Sequence, residues 1–331
     1  MPCLVLGAVG VVALRDDHPS SRAAPDATSS STTSPVASTS TRPETTTTAP
    51  PPVPWAPVPD GPPRAVVTPT GVVLAVLAAN PDGSFVARAP CGGEVTVTGK
   101  GIRGANVVLD PGHGGDEPGA VGPAGLAEKS VNLAVAQETA RRLQALGASV
   151  VLTRTADYRI TLASRAAVAT SLQAQLFVSI HHNAEPDGPR DGPGAETYFQ
   201  IASASSKRAA GLLYEELVDA FDAYDVAWVA DRDAGAKFRL RADGTDYYGI
   251  LHRAAGDPAV LSEAAFLSNA PEEALLADPA FQGVEAQALT NAIVRYLGTD
   301  DPGSGFVTPY PRTEPAGPGG GAAGCADPPL G

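Results

Sequence analysis

Residues 106–115 read NVVLDPGHGG and residues 175–184 read QLFVSIHHNA. In each stretch a short apolar run ends in a histidine-bearing segment, a pattern that predicts a buried strand followed by a turn. A third apolar run, SVVLTR at 149–154, predicts another strand. Apolar residues at helical spacing predict helices over 128–146 and 162–172, between these strands. Strands that alternate with helices indicate an α/β domain.

The same alternation continues toward the C-terminus. GAETYFQ (194–200) and PAVLSEA (258–264) predict two more strands, and amphipathic patterns predict helices over 205–224 and 281–297. Strands that are apolar throughout are buried on both faces. We therefore expect an α/β fold whose central, mostly parallel sheet is flanked by helices on both faces, with a small N-terminal β segment in front of it.

Composition divides the chain into five parts. The 32 Pro and 35 Gly concentrate toward the two ends, which indicates a folded middle with irregular flanks. The predicted parts are an apolar signal or anchor remnant (1–14), a disordered Ser/Thr/Pro-rich linker (15–63), a small β segment (64–104), a catalytic domain (105–298) and a Gly/Pro-rich tail (299–331).

The apolar run CLVLGAVGVVAL at the N-terminus is shorter than the about 20 residues that span a bilayer. Its length suits the apolar part of a signal peptide, although no positively charged residue precedes it. We interpret it as a signal whose true start lies upstream of Met1, or as a clipped membrane anchor. A secreted or cell-envelope protein is expected, with the N-terminus as a candidate membrane tether.

Charge and cysteine content narrow the function classes. The net charge of -13 argues against a nucleic-acid partner, because phosphate binding needs clustered Lys and Arg. The three cysteines show no zinc-finger spacing. Cys91 and Cys325 either form a disulfide in an exported protein or remain two unpaired thiols, and the sequence leaves both open.

Four residues that suit metal chemistry should converge at one edge of the sheet. His113 and His181 follow or end predicted strands, Glu128 begins the next helix, and Glu263 ends the strand at 258–263. The carboxyl ends of strands line the functional crevice of open α/β sheets. Two imidazoles and a carboxylate are the ligands of catalytic zinc sites, and a further carboxylate can act as general base. Taken alone, PGHGG is more often a turn beside a hydrogen-bonded histidine, and Glu128 is more often a first-turn carboxylate that the helix dipole favours. Glu263 within an apolar strand is less usual, because an unpaired buried carboxylate is costly.

Four segments in order, VVLDPGHGGDEPGAVGPAGLAEKSVNLAVA, VVLTRTADYRITLASRAAVA, LFVSIHHNA and PAVLSEAAFLSN, resemble the N-acetylmuramoyl-L-alanine amidase family of zinc enzymes. The resemblance covers about residues 106–297. It implies Zn²⁺ as cofactor and peptidoglycan as substrate, cut at the amide between N-acetylmuramic acid and L-alanine. It also implies His113, Glu128 and His181 as zinc ligands and Glu263 as the catalytic residue.

The sequence departs from the family pattern at two positions. His182 stands where a small residue usually follows the ligand histidine, and Ala265 stands where the family usually has Gly. Successive residues of a strand point to opposite faces, so only one of His181 and His182 can be the ligand. The motif register favours His181.

Further residues near the candidate site have expected roles, and the sequence is compatible with two other functions. Arg154 and Arg165 are expected to brace helix to loop by ion pairs, and Asn183 is expected either to orient a neighbour by hydrogen bonding or to be a turn residue. Asp231 and Arg232 resemble the D-R-G segment near the substrate groove of the family, although Asp233 stands where Gly is usual. A zinc peptidase acting on peptidoglycan stem peptides and a non-catalytic wall-binding regulator are the alternative functions. The sequence does not determine the oligomeric state.

Overall fold

The computed structural model describes residues 55–312 and 319–331. The apolar run 1–14 and most of the predicted linker therefore lie outside the described residues. The end of that linker contacts the domain, because the Trp55 indole donates a hydrogen bond to the Leu146 carbonyl at 2.8 Å. No helix among the described residues has the length and apolar character needed to cross a membrane.

Residues 65–102 form an antiparallel sheet of five short strands. These strands are β1 (Ala65–Val67), β2 (Val73–Ala79), β3 (Phe85–Arg88), β4 (Glu94–Val97) and β5 (Lys100–Ile102). Their order is β4-β3-β2-β1-β5. The NPDG turn at 80–83 joins β2 to β3, and the Gly83 amide donates to the Asn80 carbonyl at 3.1 Å.

A second sheet of six strands forms the centre of the main domain. Its strands are β6 (Val107–Pro111), β7 (Val150–Leu152), β8 (Leu176–Asn183), β10 (Glu196–Phe199), β12 (Ala236–Lys237) and β13 (Ala259–Phe266). Their order is β12-β10-β13-β8-β6-β7. A separate two-stranded ladder pairs β9 (Gly188–Pro189) with β11 (Val229–Ala230).

The central sheet is mixed, so the expectation of a mostly parallel sheet is wrong. β7, β6, β8 and β13 run parallel to one another, whereas β10 pairs antiparallel with β13 and parallel with β12. Parallel neighbours need a crossover of a dozen or more residues, usually a helix. No helix lies between β8 and β10, and the chain therefore returns in the opposite direction.

Six helices accompany the sheet. They are α1 (Glu128–Ala145), α2 (Leu162–Leu172), α3 (Ala204–Phe221), α4 (Gly249–Arg253), α5 (Ala270–Leu276) and α6 (Pro279–Gly298). Side-chain caps define three of the starts: Thr161 accepts from the Ser164 amide, Ser203 from the Ser206 amide and Asp278 from the Ala280 amide. Such caps satisfy amides that have no partner within the helix.

Two apolar cores cover the two faces of the central sheet, as the strand pattern predicts. Helices α1, α3 and α6 pack on one face, where Leu109, Val178 and Val260 are buried. Helices α2 and α4 pack on the other face, together with residues of β1 and β2, around Phe177 and Leu261. Alternate residues of one strand therefore enter different cores. The polar motifs lie at the edge of the sheet between these two cores.

The Gly/Pro-rich tail is attached to the domain at several points. The Val307 amide donates to the Ala236 carbonyl at 3.1 Å, which places the tail along the edge strand β12. Farther on, the Leu162 amide donates to the Gly320 carbonyl at 2.9 Å. Leu330 packs against the core of the five-stranded sheet. Composition alone did not predict these contacts, because each depends on residues distant in the chain.

A disulfide joins Cys91 to Cys325 across 234 residues of sequence. The structure thus decides between the two alternatives that the sequence left open. The Asp327 carboxylate also accepts a hydrogen bond from the Cys91 amide at 2.7 Å. The bond therefore fastens the end of the tail to the five-stranded sheet.

We expect Cys91→Ser to lower the free energy of unfolding by about 2–5 kcal/mol, because a long disulfide-closed loop restricts the unfolded chain. Chemical denaturation under non-reducing conditions measures the loss. Reduction should bring the wild-type protein to the value of the variant and leave the variant unchanged. Equal stability of the two proteins without reductant would contradict the expectation.

Candidate metal centre and active site

Three side chains from distant parts of the chain meet at the carboxyl edge of the sheet. His113 lies in the loop after β6, Glu128 is the first residue of α1, and His181 lies near the end of β8. His113 Nε2 is 3.1 Å from Glu128 Oε2, and His181 Nδ1 is 2.9 Å from Glu128 Oε1. One ligand atom from each residue lies within 4.8 Å of the other two.

The local backbone is shaped around these side chains. His113 has φ +59°, a left-handed conformation that is uncommon outside glycine but less so for His. A Cβ at Gly112 would lie 2.1 Å from Cε1 of His181, and one at Gly119 would lie 2.3 Å from Oε2 of Glu128. Only glycine fits at these two positions, and the chain therefore closes tightly around the triad.

Two buried arginines hold the loop that carries His113. Arg165 forms an ion pair with Asp110 at 2.8 Å and donates to the His113 carbonyl at 2.5 Å. Arg154 donates to the carbonyls of Gly112 and Lys129, at 2.9 and 2.7 Å. Both arginines brace the loop, as expected from the sequence, although Arg154 does so through carbonyls rather than through an ion pair.

The environment of Glu128 keeps it ionised. Burial raises the pKa of this carboxyl, but hydrogen bonds from His113 and His181 outweigh burial and hold the pKa well below its usual value. Further donors are Asn132 Nδ2 at 3.1 Å and the Ala120 amide at 2.8 Å. An ionised carboxylate between two imidazoles is a donor set found in catalytic zinc sites.

His182 points away from this cluster. Its Nδ1 is 2.8 Å from Asn132 Oδ1 and its Nε2 is 3.0 Å from Glu285 Oε2, in the core beneath α1 and α6. The alternation of side chains along β8 thus directs His181 to the site and His182 to the interior. The His182 amide is 3.2 Å from Glu128 Oε1, so the residue contacts the site through its backbone.

Glu263 lies directly beside the triad. It pairs with His181 of β8 on one side and with Glu196 of β10 on the other. Its Oε2 atom is buried and has no hydrogen-bond partner among the described residues. Burial raises the pKa of Glu263 well above its usual value, and the carboxylates of Glu128 and Glu196 raise it further.

A second group of acidic residues lies next to Glu263 and was not predicted. Glu196, Asp231 and Asp233 place carboxylate oxygens within 4.8 Å of one another. Lys237 Nζ lies 2.5 Å from Glu196 and 2.6 Å from Asp233, and Arg312 of the tail pairs with both aspartates. Two side-chain cations already occupy this cluster, so it differs in kind from the histidine-containing triad.

One signal for this group was present in the sequence. Glu196 lies within the predicted strand GAETYFQ, as Glu263 lies within its strand, and a carboxylate that is buried there requires a partner. The partners Lys237 and Arg312 carry no comparable signal. Asn183, expected to orient a neighbour, donates to Glu196 Oε2 at 2.9 Å.

The triad fits a metal ion by the chemistry of its donors and by the space around them. Two imidazole nitrogens and a carboxylate form the three-ligand set of catalytic zinc sites. The donor atoms lie within 4.8 Å of one another, and Gly112 and Gly119 approach the side chains of His181 and Glu128 more closely than a residue with a Cβ could. The orphaned oxygen of Glu263 lies beside this set rather than within it.

Residues 107–295, more than half of the chain, match the model of one protein family, described as N-acetylmuramoyl-L-alanine amidase. The chain belongs to this family. It is therefore an enzyme of the amidase class, and the matched segment contains His113, Glu128, His181 and Glu263.

The chain is also similar to two curated proteins and to one solved structure. The uncharacterised protein YqiI of Bacillus subtilis is 36% identical over 59% of this chain and 86% of its own length. N-acetylmuramoyl-L-alanine amidase AmiC of Neisseria meningitidis is 32% identical over 61% of this chain, but the match spans only 55% of AmiC. The crystal structure of an N-acetylmuramoyl-L-alanine amidase from Clostridium difficile 630 has a TM-score of 0.50 and 29% identity, over 60% of this chain and 100% of that one.

The amidase family match ends before the tail, yet the tail reaches the site. A cavity of about 500 Å³ above the triad is lined by His113, His181 and Tyr248, and also by Gly319 and Gly320. The Gly320 amide donates to Glu117 in the His113 loop at 2.9 Å. The walls of the site therefore include residues outside the segment that is shared with the family.

We expect His181→Ala to bind much less metal than the wild-type protein, because the variant lacks one of the three candidate ligands. His182→Gln should retain about one metal per chain. Mutation of a residue that contacts a ligand but does not bind the metal lowers metal affinity by only about 10–100-fold. Metal content after dialysis against micromolar Zn²⁺, measured by mass spectrometry, compares the two neighbours. The opposite ranking would show that His182 is the ligand.

Proposed function

We propose that the protein is a zinc-dependent hydrolase that cleaves the amide bond between N-acetylmuramic acid and L-alanine in peptidoglycan, in remodelling of the cell wall. The observation that carries the proposal is the position of Glu263. It lies beside a triad of His113, Glu128 and His181 with a buried oxygen that has no partner among the described residues. A site that only held a metal would not need this carboxylate.

The three ligands proposed for Zn²⁺ are His113, Glu128 and His181. Nitrogen and carboxylate donors in this ratio favour zinc over magnesium or calcium, which prefer oxygen ligands. When bound, the ion would lower the pKa of a water molecule to about 7 and polarise the scissile carbonyl. Glu128 contributes the negative charge of the set, and its other contacts fix its orientation.

The role proposed for Glu263 is that of general base and then general acid. Its carboxylate accepts a proton from the attacking water, whose oxygen bonds to the lactyl carbonyl carbon. The carbon–nitrogen bond then breaks, and the proton passes to the amine of L-alanine. A base must be positioned within hydrogen-bond reach of both groups, and the pairing of Glu263 with His181 on the neighbouring strand supports this role.

Lys237 supports this role through Glu196. Two carboxylates on neighbouring strands repel each other, and the ammonium of Lys237, 2.5 Å from Glu196, compensates the charge of one of them. Tyr198 donates a further hydrogen bond to Glu196 at 2.8 Å. These contacts leave Glu263 as the carboxylate that is available to substrate.

We place the enzyme outside the cytoplasm, either secreted or in the cell envelope. The Cys91–Cys325 disulfide supports this, because such bonds persist in oxidising compartments. Peptidoglycan, the partner that the proposed reaction requires, also lies outside the cytoplasm. The acidic net charge is consistent with the absence of a nucleic-acid partner.

A digest of purified muropeptides by the full chain tests the proposed bond. Mass analysis should detect intact stem peptides that begin with L-alanine, and a zinc chelator should abolish their release. Fragments cut within the stem peptide would identify a peptidase instead. Binding to cell walls without chelator-sensitive turnover would favour the non-catalytic alternative.

We expect Glu263→Gln to lower kcat by about 10²–10⁴-fold, because the amide cannot accept the proton. The variant should keep the zinc content of the wild-type protein, since Glu263 is not one of the three ligands. Turnover of muropeptides and metal analysis of the same preparation provide the two measurements. Activity close to that of the wild type would remove Glu263 from the mechanism.

A further inference from the structure

A second cavity, of about 690 Å³, lies between the tail and the main domain. One wall is formed by residues 238–242 and the other by residues 309–312, and Tyr198 and Lys237 lie at its base. We call it the tail cavity. Its volume lies within the range of small-molecule sites, about 300–1,000 Å³.

Four cationic side chains line the tail cavity, Lys237, Arg239, Arg241 and Arg312, beside one acidic residue, Asp233. Lys237 and Arg312 are already paired with the acidic group of Glu196, Asp231 and Asp233, so Arg241 on the opposite wall is the cation with capacity for an anion. The whole chain has a net charge of -13. Charge complementarity therefore favours an anionic occupant, and the aromatic rings in the lining favour one with apolar parts.

Two of these arginines have buried hydrogen-bond donors without an acceptor among the described residues. The Nε atoms of Arg241 and Arg312 are buried and have no hydrogen-bond partner among the described residues. Arg312 uses Nη2 for the two aspartates, and Arg241 Nη2 makes one long hydrogen bond, 3.4 Å, to the Tyr247 carbonyl. Buried donors without acceptors are costly. A carboxylate accepts well from guanidinium groups, often through two bonds.

The tail cavity begins close to the proposed reaction centre. Glu263 pairs with Glu196 across neighbouring strands, which lie about 4.8 Å apart. Tyr198 is two residues farther along the same strand, or about 7 Å. Tyr198, which lines the tail cavity, packs against Tyr248, which lines the cavity above the triad, with ring centroids 4.5 Å apart, so the two cavities are neighbours. An extended peptide spans about 3.3–3.6 Å per residue, so a stem peptide needs two or three residues to pass from one cavity to the other.

We propose that the tail cavity is the subsite for the stem peptide, in which Arg241 and Arg312 bind a carboxylate of the second or third residue after the cleaved bond. The inference rests on the proposed function, since that function supplies the peptide. It assigns a substrate-binding role to tail residues 309–312, which lie outside the segment matched by the family. The enzyme would then prefer stem peptides with free carboxylates over amidated ones.

Calorimetric titration of the full chain tests the inference without turnover. The probes are two synthetic tripeptides that begin with L-alanine and differ only in whether the second-residue and third-residue carboxylates are free or amidated. The wild-type protein should bind the free acid at least about tenfold more tightly. Arg241→Ala should lose most of this preference, whereas Arg141→Ala, which removes an exposed arginine of α1, should keep it.

Kinetics with the corresponding N-acetylmuramoyl peptides provide the second measurement. Amidation should raise KM about tenfold and change kcat little, and Arg241→Ala should raise KM for the free acid to a similar extent. Equal KM values for the two substrates, or an unchanged preference in Arg241→Ala, would overturn the subsite. Failure to cleave either substrate would instead refute the proposed function, and the titration would still report on the cavity.

Discussion

The buried carboxylate of Asp110 joins the elements on which the site depends. It accepts hydrogen bonds from Thr153 at 2.5 Å, Arg165 at 2.8 Å and Ser179 at 2.7 Å, and so connects β6 with the end of β7, α2 and β8. These bonds outweigh the effect of burial and keep the pKa of Asp110 below its usual value. Because removal of one partner from a buried ion pair costs about 3–5 kcal/mol, the His113 loop has little freedom to adopt another position.

Three carboxylates at the edge of the sheet near Asp110 differ in their hydrogen-bond and ion-pair partners. Glu128 is placed between two imidazoles, and Glu196 is placed against an ammonium. Glu263 lies between them and has a buried oxygen without a partner among the described residues. The same residue type thus acquires different properties on adjacent strands, because each strand presents it to different neighbours.

The convergence of the candidate site residues at one edge of the sheet could be predicted from the sequence. His113, Glu128 and His181 each lie at the junction of a strand or helix with a loop, and Glu263 is a charge within an apolar strand. The reversal of β10 was missed, since strand patterns do not encode direction and only the lack of an intervening helix indicates it. The contact of Arg312 with Asp231 joins segments 81 residues apart and leaves no local pattern.

Residues of the tail pack on the main domain, although they lie outside the segment 107–295 that is shared with the family. Edge strand β12 receives the backbone of Val307, and Phe306 packs against Phe199 with ring centroids 6.4 Å apart. Recombinant versions that stop where the amidase family match stops would uncover this strand edge and leave its acidic neighbours without Arg312. The contacts of the described tail residues therefore extend the packed unit beyond the segment that is shared with the family.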